Sequence, residues 1–374
     1  MSEQGTGRRA QGPINRIGID LRCLPADGSA GGGIAHSARA ITQEIVRSWH
    51  GSVICFVPHG ASIGDGIPVV WTKDPWRKSF IPVLASNPCD VMFVPSGAVS
   101  PAIRVPAIPW VHDLDIFDHP EWFPQSWWKR QTTTRLFIRG LRRAPQLFAV
   151  SSYTRAAIER FVPSAKGHIT VTGEGGDEVL RSIPTERLEE EKKNAAVRIR
   201  HLGITRRFAL MLGTVEPRKN IPLICRVWPE VARTVLDVDL VIAGQEGWKT
   251  EPINAAIRTC GAIRLMDFSE QDRRDLLLAA DIVLVPSFSE GFGLVALEAI
   301  QAGTPVLASN RGALPEVVGT GEWVLDPEDQ NAWIEAMRSA LSQSSVREQW
   351  VVDQSPQRER FSWERAANEI LSRL

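Results

Sequence analysis

Twelve short apolar runs rich in Val and Ile, separated by segments of helical period, recur along almost the whole chain. They fall at 16–21, 53–57, 91–94, 107–111, 146–150 and 168–171, then at 208–212, 238–243, 262–265, 282–285, 305–308 and 323–325. Several are apolar almost throughout, as strands covered by helices on both faces are. Strand-helix alternation on this scale predicts an α/β protein with doubly wound parallel sheets. Twelve strands exceed what one twisted open sheet holds, so two sheets are expected. At about 150 residues per domain, 374 residues also ask for two domains.

The chain divides best between 173 and 207. That stretch opens on the Gly-rich turn at 173–177 and runs into Glu189, Glu190, Glu191, Lys192 and Lys193. Such a charged run reads as an exposed helix or linker outside the core. Local signals mark helix starts elsewhere. Asp326 before Pro327 reads as an N-cap with proline at the first helical position. Ser269 with Asp272 is an approximate capping box, and Ser151 or Ser152 caps the helix running toward Phe161.

Charge and cysteine narrow the class. Lysine plus arginine is 43 and aspartate plus glutamate is 43, so the formal net charge is zero, unlike a dedicated nucleic-acid binder. The five cysteines are scattered without a C-x-x-C pair, which disfavours a disulfide framework or structural zinc. Residues 1–15 are polar and Gly-rich, lack the apolar core of a signal peptide, and read as a flexible tail. No apolar run reaches about 18 residues. A soluble cytoplasmic protein is expected.

The stretch 287–309, SFSEGFGLVALEAIQAGTPVLAS, carries the most chemistry. An apolar strand ends at Pro286, and Gly291 and Gly293 then open a helix. Ligands of such sheets bind beyond the carboxyl ends of strands. Glycines there let an anion approach backbone N–H groups, and the helix N-terminus favours negative charge. Glu290 sits at the mouth of this turn. Glu298 sits in a helix otherwise made of Leu294, Val295, Ala296, Leu297, Ala299 and Ile300. A carboxylate there needs hydrogen-bond donors, and sugar hydroxyls are suitable ones. Taken singly, Glu290 reads equally well as decoration of a helix start, and Glu298 as the partner of a nearby arginine.

Arg218 and Lys219 follow the strand at 208–212 through a tight turn. Alone they read as a solvated loop; at a strand's carboxyl end they can neutralise a leaving diphosphate. Gly31–Gly33 leads into a helix over 34–49 but lacks the Lys-Ser/Thr of a P-loop and is only a partial dinucleotide fingerprint. The end of the second strand offers no acidic residue for a ribose, which counts against an NAD-dependent oxidoreductase. The D-x-D pairs Asp113/Asp115 and Asp237/Asp239 do not read as metal clamps, and no metal is expected.

Glu290 and Glu298, with Gly-Phe-Gly after the first, resemble the E-x7-E signature of retaining family-4 glycosyltransferases. The resemblance extends through Ala302–Val306, Gly312–Glu316, Gly213–Asn220 and Val241–Gly244, and less strongly through Gly31–Ile34, His112-Asp113, Val150-Ser151, Glu174–Glu178 and Phe361–Trp363. It implies a GT-B fold, with a Rossmann-like acceptor-side domain over 16–178 and a charged linker over 179–207. A Rossmann-like nucleotide-sugar domain would follow over 208–358, and a closing helix over 359–374 would pack back on the first domain.

By position in that resemblance, Glu290 would bond hydroxyls of the transferred sugar and Glu298 the ribose. Backbone amides of Gly291, Phe292, Gly293, Leu294 and Val295 would meet sugar and diphosphate. Lys219 takes the family's usual lysine position. Many relatives carry arginine directly after Gly213, where this chain has Thr214, which suggests that Arg218 replaces it. Gly33 would face sugar or phosphate, and His112 would touch the sugar's 6-position oxygen.

The implied reaction is transfer of a hexose, with retention, from a nucleotide sugar to a glycan or lipid-linked acceptor, without a resident cofactor. The sequence 216–220 resembles enzymes of polysaccharide assembly, which favours GDP-mannose over a UDP-sugar. The alternative in another class is an inactive nucleotide-sugar-binding scaffold; intact Glu290, Lys219 and Glu298 count against it.

On the acceptor side, no acidic residue lies between Glu121 and Glu159, whereas Lys129, Arg130, Arg135, Arg139, Arg142, Arg143 and Arg155 do. Arg135, Arg139 and Arg142 recur at helical spacing on one stripe, with Phe137 and Leu141 on another. Trp122, Trp127 and Trp128 stand in front of them. This segment is expected to touch an anionic membrane surface peripherally, against the plainer reading of a solvated basic face with its aromatics in the core.

Overall fold

A computed structural model describes residues 14–29, 31–64, 66–72 and 77–374. The apolar runs form two parallel sheets. The first holds β1 (Arg16–Asp20), β2 (Ser52–Pro58), β3 (Val69–Thr72), β4 (Val91–Val94), β5 (Ala107–Val111), β6 (Leu147–Ala149) and β7 (Ile169–Val171) in the order β3-β2-β1-β4-β5-β6-β7. The second holds β8 (Arg207–Leu212), β9 (Val238–Ala243), β10 (Ile263–Leu265), β11 (Ile282–Val285), β12 (Val306–Ser309) and β13 (Val324–Leu325) in the order β10-β9-β8-β11-β12-β13. Each order reverses beside its first strand, creating the switch point at which doubly wound sheets bind ligands. Central strands β4, β11 and β12 are buried along their whole length, as their unbroken apolar sequences require.

Twelve of these thirteen strands match the expected runs. The missed one, β3, is a four-residue edge strand beside β2 that leaves Trp71 half exposed, and Pro68 directly before it reads as a strand breaker.

Several local signals act as expected. Ser151 caps the helix Ser152–Phe161, and Ser269 with Asp272 forms the full capping box of Glu270–Ala279. Asp326 does not cap. Its carboxylate accepts from the Glu328 N–H 2.9 Å away, and Asp329 caps the helix Gln330–Ser342 instead. The charged stretch is also more than a linker. Helix Leu188–Arg198 buries Leu188 and Ala195 in the main core and locks onto Glu270–Ala279 through Arg198, which donates twice to Asp275 at 2.8 and 2.7 Å. Glutamates on the solvent side hid this apolar edge.

Of the expected tail, residues 1–13 lie outside the described residues; Ile14 packs against the core, and the Asn15 N–H donates to Asp90 at 2.8 Å. The last helix, Trp363–Leu371, lies against Gly33–Ser48 below the first sheet, and the Trp363 indole donates to the Gly176 carbonyl at 2.8 Å.

Candidate active site

The carboxyl ends of β1, β5, β8 and β11 face one another across a cavity of about 680 Å³ between the two sheets. Its walls include Gly33, His112, Gly213, Thr214, Arg218, Lys219 and every residue from Glu290 to Val295. The sequence-expected residues therefore converge, with one exception. Glu298 does not line the cavity. It is buried in helix Leu294–Gln301, where its carboxylate accepts from Arg273 at 2.6 Å, and burial pushes its acid strength toward the neutral form. Arg273 and Arg274 also donate to Asp177 at 2.8 and 2.7 Å, tying both helices to the crossover between the sheets.

The turn after β11 is built for close approach. A Cβ on Gly291 would lie 2.0 Å from the His112 carbonyl oxygen, so only glycine lets the two domains touch here. Gly293, at φ +104°, reverses the chain so that the helix starts at Leu294 with its first-turn N–H groups lacking intrahelical partners. The Ala313 N–H holds the Glu290 carbonyl at 2.9 Å.

Inside this turn the Glu290 side chain is saturated. One carboxylate oxygen accepts from Lys219 at 2.6 Å and Ser287 at 2.7 Å, and the other accepts from Arg218 at 2.7 Å. Burial alone would raise its pKa, but Lys219 and Arg218 hold it down at about 2. Arg218 is in turn gripped through Nε by Glu216, 2.6 Å away and almost fully buried. Burial disfavours the guanidinium charge, yet Glu290 and Glu216 together raise its pKa further, so it stays cationic.

On the opposite wall, His112 ends β5 with both ring nitrogens engaged. Nε2 lies 2.8 Å from the Pro95 carbonyl, and Nδ1 lies 3.0 Å from a Glu174 carboxylate oxygen. Burial opposes protonation, but Glu174 and the Pro95 carbonyl shift the balance, and the imidazole pKa is raised.

The first D-x-D pair divides its labour. Asp113 lines the cavity, whereas Asp115 is buried and accepts from the Ser289 hydroxyl at 2.8 Å. Asp237 and Asp239 simply pair with Arg207 and Arg206 at the other end of the sheet. Among the described residues no group of three His, Cys, Asp or Glu is arranged around an ion site.

Sequence reasoning placed Glu216, Ser287, Glu174 and Asp113 in the stretches it singled out but gave none of them a role. Glu216 stands two residues before Arg218, the only local sign of its role; Glu174 and His112 are joined purely by packing. Trp122 is also corrected. It lies between His119 and Phe288, with ring centroids 4.0 and 6.2 Å away, and accepts through its carbonyl from the Trp248 indole at 2.6 Å. It is partly buried and bridges the two domains beside the cleft.

The comparisons agree with this geometry. Residues 196–353 match the family described as glycosyl transferases group 1. The chain is 30% identical over 273 residues to the O-antigen chain mannosyltransferase B of Escherichia coli, covering 71% of this chain and 69% of that protein. It is 42% identical over 96 residues to the D-inositol 3-phosphate glycosyltransferase of Corynebacterium glutamicum (strain R), covering 25% of this chain and 23% of that one. The crystal structure of Anabaena Alr3699/HepE in complex with UDP and glucose superposes with a TM-score of 0.73 at 16% identity, over 96% of this chain and 99% of that chain. The fold is GT-B, and the chain belongs to the group 1 glycosyl transferases, an enzyme family that transfers sugars.

Proposed function

We propose that this enzyme moves a hexose, mannose from GDP-mannose in preference to a UDP-sugar, with retention and without a metal, onto a glycan or lipid-linked acceptor. The observation that carries this reading is the meeting of Glu290, Arg218 and Lys219 in one interdomain cavity, opposite His112. Two cations and a helix N-terminus supply the charge stabilisation a leaving diphosphate needs. Similarity to the Escherichia coli O-antigen chain mannosyltransferase B supports mannose. In the reaction, the bond from the anomeric carbon to the phosphate oxygen breaks and a bond to the acceptor oxygen forms on the same face. The acceptor's hydroxyl proton passes to the leaving phosphate.

The lipid-linked option rests on helix Trp127–Arg143, which exposes Trp127, Trp128 and Leu136 together with Arg135, Arg139, Arg142 and Arg143, while its inner face buries Leu141 and sets Phe137 on the cavity wall. No helix among the described residues is long and apolar enough to cross a membrane.

Incubation with radiolabelled GDP-mannose or UDP-glucose and a lipid extract, with chelator present, tests the reading. Label from GDP-mannose is expected in the lipid fraction; label only from UDP-glucose, or transfer abolished by the chelator, overturns the corresponding part.

A further inference from the structure

Four charged side chains form a neutral cluster at the mouth of β8 and β11: Glu216 and Glu290 against Arg218 and Lys219. All four are mostly buried, the carboxylates more deeply than the cations. A diphosphate adds about two negative charges. Were Glu290 to keep both cations, the entering phosphates would face a filled carboxylate pair in a poorly solvated site, which is costly. The contacts are unequal in a way that permits exchange. Arg218 is held through Nε by Glu216 and through a terminal nitrogen by the Ser289 carbonyl at 3.1 Å, so its planar guanidinium keeps its place when Glu290 leaves. Among the described residues, Lys219 pairs with one carboxylate, that of Glu290. Ser287 keeps a 2.7 Å bond to Glu290 that does not depend on either cation.

We propose that the donor's diphosphate displaces Glu290 from Lys219 and Arg218, and that this exchange is what frees the Glu290 carboxylate for the sugar. The inference rests on the donor-binding reading above. A nucleotide sugar satisfies both sides of the exchange, because its phosphates take the cations while its hydroxyls take Glu290. A nucleoside diphosphate satisfies only one side and strands the carboxylate. After transfer, the return of Glu290 to Lys219 therefore competes directly with the product and favours its release. Glu290 is both sugar contact and product competitor, and Glu216 is a positioning residue that keeps Arg218 in place through the exchange.

Calorimetric titration of GDP and UDP into the full chain, Glu290→Gln, Lys219→Met and the double variant tests this, with GMP and UMP as controls and thermal unfolding as the fold check. Glu290→Gln is expected to bind the diphosphate about fivefold more tightly when Lys219 is present and less than about twofold more tightly when it is Met. The monophosphates are expected to change less. Glu290→Asp is the second variant. It keeps the charge but withdraws from both cations, and is expected to tighten binding in the same direction. Unchanged or weaker diphosphate binding by Glu290→Gln, equal tightening in both Lys219 backgrounds, or no effect of Glu290→Asp overturns the exchange while leaving the donor-site reading standing. Failure of the unaltered chain to bind either diphosphate overturns both.

Discussion

Glu316, from the second domain, caps the helix that begins at Ser152 in the first. Its carboxylate oxygens accept from the Ser152 and Tyr153 N–H groups at 2.9 and 2.8 Å, satisfying helix-start donors that have no partner within their own helix. Ser151 adds a second cross-domain bond, donating to the Gly291 carbonyl at 2.6 Å. The acidic residue of the 312–316 motif thus holds one sheet against the other. Glu316→Ala is expected to cost ~1–2 kcal/mol of stability, with Glu316→Gln recovering part of it. Thermal unfolding measures both, and an unchanged midpoint for the alanine variant refutes the cap.

Asp115 gives stability a pH dependence. Burial first, then the neighbouring Asp113 carboxylate, raises its pKa to about 7, and one of its oxygens is buried without a protein partner. A folded pKa above the unfolded one means that the native state holds the extra proton. Stability from this group is full below about pH 4 and is lost as pH rises through about 7. Asp115→Asn is expected to flatten that decline and to stabilise the protein at pH 8 by on the order of 3 kcal/mol. Denaturant unfolding at pH 5 and pH 8 shows whether the difference shrinks.

Glu290 and Lys219 predict different kinetic losses. Glu290→Ala is expected to cut turnover without weakening nucleoside-diphosphate binding, because the product has no sugar for it to touch and the freed cations remain for its phosphates. Lys219→Ala is expected to lower both, by about 3 kcal/mol in the transition state. Near-normal turnover of Glu290→Ala with donor and acceptor saturating removes the assigned sugar contact.

Glu298 is paired with Arg273 outside the cavity wall, so its expected ribose contact needs a test separate from its structural one. Glu298→Ala is expected to weaken GDP binding several-fold while leaving inorganic pyrophosphate affinity within about twofold. If both affinities fall together, Glu298 acts only by fixing helix Leu294–Gln301.

The basic helix is tested with vesicles. Binding to anionic vesicles is expected at low salt and is expected to fade at high salt, since each Arg near such a surface contributes about 1 kcal/mol. Arg135→Glu with Arg139→Glu is expected to abolish it. Equal recovery on neutral and anionic vesicles leaves helix Trp127–Arg143 as a solvated face.

Local sequence determined the strands and several caps. A parallel strand buried on both faces must be a continuous apolar run, so β11 and β12 announce themselves within four residues, and Ser151 and Ser269 cap within three residues of themselves. The turn from Glu290 to Val295 was legible for the same reason, since glycines and a following helix are consecutive. Only tertiary structure brought Arg218 and Lys219 onto Glu290, more than 70 residues away, joined Glu174 to His112, turned Glu298 toward Arg273 and set Trp122 against Phe288. Those pairings depend on how two sheets wind and then face each other. Hydrophobic period carries no trace of which polar side chains will share a low-dielectric space, and in that space charge and hydrogen-bond satisfaction select the partner.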